Sequence, residues 1–358
     1  MSDETARCIA DACAICAIPA PTGEEQDRAA YVADRLREAG LDPQHDDAGN
    51  VVARIGAAEG EPVVVAAHLD TVFPDVRDIA VRRDGDVLHA PGIGDNSLGV
   101  AALLALARRA VGDGTAARPL VLAATVGEEG FGNLRGALNA VETLQPAEFI
   151  ALEGGGVGEL VTAGVGSARF RIDVKAPGGH SWRDRGQPSA LHVLIALLRD
   201  QLADPPSASA NVGSLDGGAG INVLAPEATA TLEFRDPATP PLDAATERLV
   251  AAAREASDGQ VDVRVEVLGR RPGGATPDDH PLVRDALDAA TTAGLTRPRL
   301  TESSTDANAA LGAGIPAVTV GLCHSREAHT LQESVDVALL GPSLAALADL
   351  VSRRLRAA

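Results

Sequence analysis

The sequence predicts an α/β protein in which a mixed, largely parallel sheet is interrupted by an inserted α+β domain. Three observations lead to this prediction. Apolar strand-like runs alternate with helical runs up to residue 163, the pattern changes near residue 164, and the alternation resumes after residue 272. Strands that alternate with helices form parallel sheets, because each helix returns the chain to the same edge of the sheet.

The first part of the chain begins with helical segments over residues 1–18 and 25–40. The turn IPAPTGEE joins them, and Thr22 is expected to cap the second helix. Two later segments have the helical repeat of apolar residues, SLGVAALLALARRAV and RGALNAVETL. Five runs have the composition of strands: VVARIG, PVVVAAHLDT, VLHAPG, PLVLAATVG and AEFIALEGG.

The segment after residue 164 has a different pattern. GSARFRIDVKA alternates apolar and polar residues, as a half-exposed antiparallel strand does. The runs that follow are a helix (SALHVLIALLRDQL), two strands (ASANVGSLDGG and ATATLEFRD), a helix over 241–257 and a strand (VDVRVEVLG). This β-α-β-β-α-β order predicts a ferredoxin-like domain over residues 164–271. Residues 1–163 and 272–358, ending in LVRDALDAATTAG, IPAVTVGL and a helix over 339–356, then form the other domain.

Composition and charge exclude several classes of protein. The chain has 358 residues, 45% of them hydrophobic and 23% charged, as in soluble globular proteins. A formal net charge of −19 repels polyanions and argues against nucleic acid as a partner. The apolar runs are shorter than the roughly 20 residues of a membrane helix. The polar start MSDETARC does not resemble a secretory signal, so we predict a cytoplasmic protein without a membrane partner.

Cys13 and Cys16 form a C-x-x-C motif, which is compatible with zinc binding or redox chemistry. However, CIADACAICAI is rich in alanine and has helical spacing, and no second C-x-x-C follows. We therefore interpret these cysteines as small apolar residues on a buried helix face.

Polar residues at the ends of the predicted strands indicate where chemistry takes place, because open α/β sheets bind ligands at the carboxyl ends of their strands. His68 and Asp70 are two residues apart and therefore project to the same face of an extended chain. The residues of this kind at strand ends or in adjoining loops are His68, Asp70, Asp95, Glu128, Glu129, Glu153 and His329.

Glu128 and Glu129 are adjacent like charges after a buried strand, where they repel each other. Divalent zinc, manganese or cobalt, bound by carboxylates and imidazoles, would turn this repulsion into attraction. One glutamate can then remain unligated and accept a proton from water. Each feature alone has a simpler explanation: a structural histidine, a surface acidic pair, or a turn in GIGDNSLG, which lacks the third glycine of a dinucleotide site. Together they favour a metal site.

The motifs HLDTVFP, GIGDNSLGV, GEEGFGNLRG, LEGG and AHTLQES resemble the M20 family of metallopeptidases and amidohydrolases, in particular its peptidase T-like branch. The resemblance covers nearly the whole chain. It implies two divalent metal ions, with zinc as the first choice and manganese or cobalt as alternatives. It also implies their ligands: His68 and Glu153 for one ion, Glu129 and His329 for the other, and Asp95 between the two.

The resemblance also implies catalytic roles. Asp70 would hold the second ring nitrogen of His68, and Glu128 would be the general base. The inserted domain would be a lid and dimerisation domain. Its motif PGGHSW would bring His180, from the same or the partner subunit, to the scissile carbonyl as an oxyanion donor. The family often has a cis peptide bond after the bridging aspartate, here Asp95–Asn96.

Substrate contacts are predicted less directly. GINVLAPEATATLEFR matches a substrate-contacting stretch of the family, so Asn222 and Arg235 are candidates, although Arg235 could instead pair with Asp236 or another lid acid. STDAN, residues 304–308, matches a segment that lines the family's pocket. His324 lies five residues before His329 and competes with it as a ligand; we favour His329, because AHTLQES carries the match.

The sequence therefore predicts a cytoplasmic, homodimeric two-metal hydrolase that cleaves an amide bond of a small peptide, in the manner of an aminopeptidase or a di- or tripeptidase. Hydrolysis of N-acyl or N-carbamoyl amino acids is the alternative, because the same metal site serves both reactions. A one-metal hydrolase and a non-catalytic peptide-binding homologue are two further alternatives.

Overall fold

The computed structural model describes residues 2–57, 59–110 and 118–356. The predicted helix over residues 1–18 begins at residue 1, and the predicted helix SLGVAALLALARRAV ends at residue 111. Both of these residues lie outside the described range. The chain divides into two units: residues up to Gly164 together with those from Ala275 onward, and Val165–Gly274. Among the described helices, none combines the length and the apolar character needed to cross a membrane.

The helices and strands follow the periodicity of the sequence. The helices are α1 (Asp3–Cys16), α2 (Gln26–Glu38), α3 (Leu98–Ala110), α4 (Arg135–Leu144), α5 (Ala190–Ala203), α6 (Thr239–Ala256), α7 (Pro281–Thr292), α8 (Ala307–Gly312) and α9 (Leu340–Arg356). The strands are β1 (Gln44–His45), β2 (Val51–Ile55), β3 (Val63–His68), β4 (Arg82–Asp84), β5 (Val87–His89), β6 (Leu120–Thr125), β7 (Glu148–Glu153), β8 (Glu159–Gly164), β9 (Gly166–Lys175), β10 (Gly179–His180), β11 (Ser209–Gly217), β12 (Val223–Leu224), β13 (Glu227–Asp236), β14 (Asp262–Arg271), β15 (Gly274–Ala275), β16 (Arg299–Ser303), β17 (Ala317–Gly321), β18 (His324–Arg326) and β19 (Ser334–Asp336).

The central sheet of the first unit has the order β1-β2-β6-β3-β7-β17-β8, and β16 also pairs with β8. β3 is parallel to both β6 and β7, and β7 is parallel to β17, whereas β2 and β8 pair antiparallel with their neighbours β6 and β17. All six residues of β3 and of β6 are buried, as expected for strands covered on both faces. The predicted mixed, largely parallel α/β class is confirmed.

One predicted strand lies elsewhere. VLHAPG contributes β5, which pairs with β4 and β19 in a separate small sheet of the order β18-β19-β5-β4. In β5, Leu88 is buried and its two neighbours are partly exposed. The strand therefore lacks the continuous apolar run of a central strand.

Small side chains fill the core of the first unit. Every residue of α3 from Leu98 to Leu106 is buried, so this alanine-rich helix is enclosed on all sides. Cys8 and Cys16 are buried in the same core, and burial raises the pKa of the Cys16 thiol to about 12. All four cysteines are free, and Cys16 is buried as interpreted, whereas Cys13 is only partly buried.

The second unit is built around a four-stranded antiparallel sheet of the order β11-β13-β9-β14. β13 alternates buried and partly exposed residues, and the buried face packs against α5 and α6. Phe170 and Phe234 meet edge to face on this side, with ring centroids 6.0 Å apart. The chain order of strands and helices, with this sheet order, is the split β-α-β arrangement of ferredoxin-like domains. A separate pair of short strands, β10 and β12, carries His180.

The helix α9 is attached to the sheet through a buried ion pair. The Arg354 guanidinium donates to both carboxylate oxygens of Glu148, with Nε–Oε2 and Nη2–Oε1 distances of 2.9 and 2.6 Å. Arg354 also donates to Asp285 on α7 at 2.6 Å. The side chains of Arg354 and Glu148 are only 8% and 5% exposed, so water cannot replace either partner.

We therefore expect Glu148→Gln to lower the free energy of unfolding by about 3 kcal/mol, since it leaves a buried guanidinium with one carboxylate fewer. Glu159→Gln is the matched control, because Glu159 pairs with the exposed Arg299 on the surface. It should change stability by less than about 1 kcal/mol. Urea unfolding followed by circular dichroism measures both, and equal effects of the two variants would contradict the prediction.

Candidate metal centre

Three parallel strands end at one edge of the central sheet and bring functional side chains there. His68 is the last residue of β3, and Glu153 is the last residue of β7. Glu128 and Glu129 follow the end of β6, which lies next to β3. Glu128 and Glu129 are 5% and 6% exposed, so both are buried carboxylates.

A loop before α3 adds Asp95 to this edge. Its backbone is irregular from Ile93 to Ser97, and the peptide bond between Asp95 and Asn96 is cis, as the resemblance implies. The Asn96 side chain is fully buried and fixes the end of β7: its Nδ2 donates to the Leu152 carbonyl and its Oδ1 accepts from the Gly154 amide. The loop and the strand that carries Glu153 are therefore joined directly.

The two oxygens of Asp95 face two different imidazoles. His68 Nε2 lies 3.1 Å from Asp95 Oδ1 and 3.8 Å from Glu153 Oε2. His329 Nε2 lies 2.8 Å from Asp95 Oδ2 and 3.2 Å from Glu129 Oε1. The structure thus forms two adjacent donor groups, each with one imidazole and one terminal carboxylate, that share Asp95.

This donor set fits divalent metal ions. Ligand atoms of His68, Asp95 and Glu129 all lie within 4.8 Å of one another. Two ligands at about 2.1 Å from one tetrahedral ion are about 3.4 Å apart, which is close to the nitrogen–oxygen separations seen here. Imidazole nitrogen and carboxylate oxygen suit zinc, manganese or cobalt.

The close contacts between imidazoles and carboxylates shift the pKa values of these groups. Hydrogen bonds to Asp95 and Glu129 raise the pKa of His329 to about 10. Burial lowers the pKa of His68, but hydrogen bonds to Asp70, Asp95 and Glu153 outweigh it and leave the pKa well above its ordinary value. Burial raises the pKa of Glu153 to about 7, although His68 opposes this shift. The pKa shifts of both imidazoles therefore favour their protonated, positively charged forms.

Asp70 orients residues of the centre through hydrogen bonds. It is fully buried, and its carboxylate accepts the amides of Glu128 and Glu129, each at 2.9 Å. The Thr22 hydroxyl donates to the same carboxylate at 2.8 Å, so Thr22 does not cap α2, which begins after Glu25. His68 Nδ1 is 3.1 Å from the Asp70 carbonyl oxygen and 3.5 Å from its carboxylate. Asp70 thus positions three members of the cluster.

Two buried glutamates near the centre were not predicted. Glu25 accepts the amide of Gly127, in the turn that precedes Glu128. Glu333 accepts amides of the loop that carries Asp95. Both lie within segments quoted above, IPAPTGEE and AHTLQES, but a hydrogen bond to a backbone amide that is distant in the sequence has no sequence signature.

His324 and His329 have different surroundings. His324 lies on β18 opposite Asp336, and its side chain is exposed. His329 has a positive φ of 63° in the loop after β18 and directs its imidazole at Asp95 and Glu129. The geometry therefore favours His329 as the ligand.

The predicted lid residues lie in the second unit. His180 on β10 is partly exposed, and its Nδ1 accepts the amides of Trp182 and Arg183 at 3.2 and 3.4 Å. Asn222 is exposed, and its carbonyl accepts the Ser181 amide.

Arg235 donates to Glu233 from Nε and Nη2, at 2.9 and 3.1 Å. It is therefore paired with an acidic residue of the second unit, Glu233 rather than Asp236.

Comparison with known proteins identifies the family of the chain. The sequence profile of peptidase family M20/M25/M40 matches residues 64–353. The chain is 24% identical over 349 residues to the uncharacterized protein YqjE of Bacillus subtilis strain 168, covering 89% of this chain and 91% of that protein.

Two solved structures have the same fold. A tripeptidase from Staphylococcus aureus subsp. aureus Mu50 aligns with a TM-score of 0.83 and 20% identity, over 99% of each chain. Aminopeptidase PepT from Bacillus cereus ATCC 10987 aligns with a TM-score of 0.79 and 23% identity, over 97% of this chain and 98% of that chain. The family suggested by the motifs is confirmed.

We expect metal binding to release protons. At pH 8 the raised pKa of about 10 keeps His329 protonated in the metal-free protein, whereas metal ligands must be deprotonated. Loading with zinc at pH 8 should therefore release roughly one proton per chain from His329, and this release should fall as the pH rises past the pKa of about 10 of His329. A pH indicator in weak buffer measures the release.

On zinc loading, the His329→Gln variant should release fewer protons than the control variant His45→Gln. The control removes an exposed histidine of β1. Metal addition without any proton release in the wild-type protein would contradict the prediction.

Proposed function

Because the chain belongs to peptidase family M20/M25/M40 and is an enzyme, we propose that it uses two divalent metal ions to hydrolyse an amide bond of a small peptide. The observation that supports this most directly is the position of Asp95, whose two carboxylate oxygens face His68 and His329. A carboxylate between two imidazoles is suited to bridging two ions.

The two donor groups define which residues would hold each ion. His68 and Glu153 would bind one ion, His329 and Glu129 the other, and Asp95 both. Zinc is our first choice, with manganese or cobalt as alternatives, since all three accept nitrogen and oxygen ligands. When bound, such ions polarise the scissile carbonyl and make water more acidic.

Glu128 is proposed as the general base. It is adjacent to the ligand Glu129 but is not part of either donor group, and its amide is fixed by Asp70 at 2.9 Å. Its side chain is buried, which limits the access of bulk water to the carboxylate that would transfer the proton. It would accept a proton from the attacking water and then deliver it to the leaving amine.

His180 is proposed as an oxyanion donor, from the same or the partner subunit. Its Nδ1 accepts two backbone amides and therefore has no proton of its own. The proton of the neutral ring then lies on Nε2, where it can be donated to a carbonyl oxygen that becomes negatively charged. Asn222 and Arg235 remain proposed substrate contacts, and Arg235 would have to share its guanidinium with Glu233.

The substrate that we propose is a di- or tripeptide with a free amino terminus. Two solved structures with this fold are named as a tripeptidase and as an aminopeptidase, which supports a short peptide as the substrate. Removal of an N-acyl or N-carbamoyl group is the second candidate, because the metal centre alone does not distinguish these amides. All seven residues of the proposed centre are present, which argues against a homologue that only binds peptides. We also propose a cytoplasmic location.

We expect zinc-, manganese- or cobalt-loaded protein to release free amine from di- and tripeptides, and Glu128→Gln to lower kcat by about 10²–10⁴-fold, the usual contribution of general acid–base catalysis. The variant should retain its metal, because the amide replaces a side chain outside the donor groups. Amine release and metal content are measured on the same samples.

Glu142→Gln, which removes an exposed carboxylate on α4, is the matched control and should match the wild type. If Glu128→Gln is as active as this control, Glu128 is not the base. If only N-acyl or N-carbamoyl amino acids are cleaved, the second candidate replaces the peptidase. Full activity with one tightly bound ion would support a one-metal hydrolase, and binding of peptides without any hydrolysis would support the non-catalytic alternative.

A homodimer through the second unit is part of the proposal. β11 is an edge strand of the four-stranded sheet, and its residues 214–217 are all exposed. Open edges pair readily with a second strand. We expect light scattering to give a dimer for the wild type and a shift to monomer for Leu215→Lys. Val267→Lys on the other edge strand, β14, is the control. A monomeric wild type would contradict the proposal.

A further inference from the structure

Glu333 is a fully buried carboxylate in the segment that follows His329. Its Oε1 accepts the amides of Gly94 and Asp95, both at 2.8 Å, and its Oε2 accepts the amide of Gly92 at 2.6 Å. One side chain thus satisfies three backbone donors within four consecutive residues of the loop that presents Asp95.

The loop needs such an acceptor because its backbone is irregular. Gly92 has a left-handed φ of 77°, and Asp95 has φ and ψ of −115° and 87°, outside the helical region. Its amides therefore do not all find partners in a regular helix, and unpaired buried amides are costly. Gly94 allows the close approach, because a Cβ at this position would lie 3.0 Å from Glu333 Oε1.

We propose that Glu333 is a positioning residue for the metal centre. It fixes the loop so that one carboxylate oxygen of Asp95 faces His68 and the other faces His329. This inference rests on the proposed two-metal function. The segment AHTLQES then has two roles. His329 faces the Asp95 carboxylate directly, and Glu333, four residues later, accepts the backbone amide of Asp95.

Only a carboxylate can serve all three amides. A glutamine in the same position has one acceptor oxygen, and its NH₂ group would face either the Gly92 amide or the amides of Gly94 and Asp95. Glu333→Gln should therefore release one side of the loop while keeping the size of the side chain. Outer-sphere partners of this kind typically contribute 10–100-fold to metal affinity.

The test compares wild type, Glu333→Gln and the control Glu142→Gln, each prepared metal-free and titrated with Co²⁺ against a chelator. We expect Glu333→Gln to bind cobalt about 10–100-fold more weakly and to change the visible absorption spectrum of bound cobalt, which reports ligand geometry. Excess cobalt should restore most of its peptide hydrolysis, because saturation overcomes a weaker affinity.

Wild-type affinity together with an unchanged cobalt spectrum in a folded Glu333→Gln protein would overturn the proposal. If that variant does not fold, Glu333→Asp decides: it keeps the charge but shortens the reach, so weaker binding supports the proposal and wild-type binding overturns it. A wild-type protein that binds cobalt but hydrolyses nothing contradicts the proposed function and leaves the role of Glu333 intact, because affinity and spectrum need no substrate. Absence of cobalt binding to the wild type would overturn both.

Discussion

The attraction between the Asp95 carboxylate and two imidazoles is the interaction on which the rest of the centre depends. Asp95, Glu129 and Glu153 lie at the same sheet edge, where their negative charges repel one another. His68 and His329 separate them, and the raised pKa of His329, about 10, shows how strongly the acidic groups attract positive charge. An acidic cluster of this kind attracts positive charge, whether of protons or of metal ions.

Around this centre, buried carboxylates that are not members of the donor groups fix the backbone. Asp70 accepts the amides of Glu128 and Glu129, Glu25 accepts the amide of Gly127, and Glu333 accepts amides on both sides of Gly94. Each of the irregular turns that carry a reactive carboxylate is thus held by an acid from elsewhere in the sequence. The turns can depart from regular structure because their amides have acceptors.

The sequence was sufficient to predict the α/β class, because buried apolar runs mark the parallel strands, and the acidic residues at their ends mark the functional edge. It did not identify β8 and β16, since ELVTAG and RLTES lack the apolar run of an internal strand. It assigned Thr22 to a helix cap, although its hydroxyl binds Asp70.

Glu25 and Glu333 act through backbone amides that are distant in sequence, and only the folded chain brings these together. The roles of His180, Asn222 and Arg235 stay predictions, because they depend on a bound substrate.

The order of strands in the central sheet has a consequence for synthesis on the ribosome. β17 lies between β7 and β8 in the sheet, yet it follows both of them in the chain, after the whole second unit. The first unit therefore has an open gap in its sheet while residues 165–274 emerge, although this continuous stretch has its own apolar core and can form first. His329 emerges later still, so the candidate metal centre is complete only after the second unit and β17 have been made.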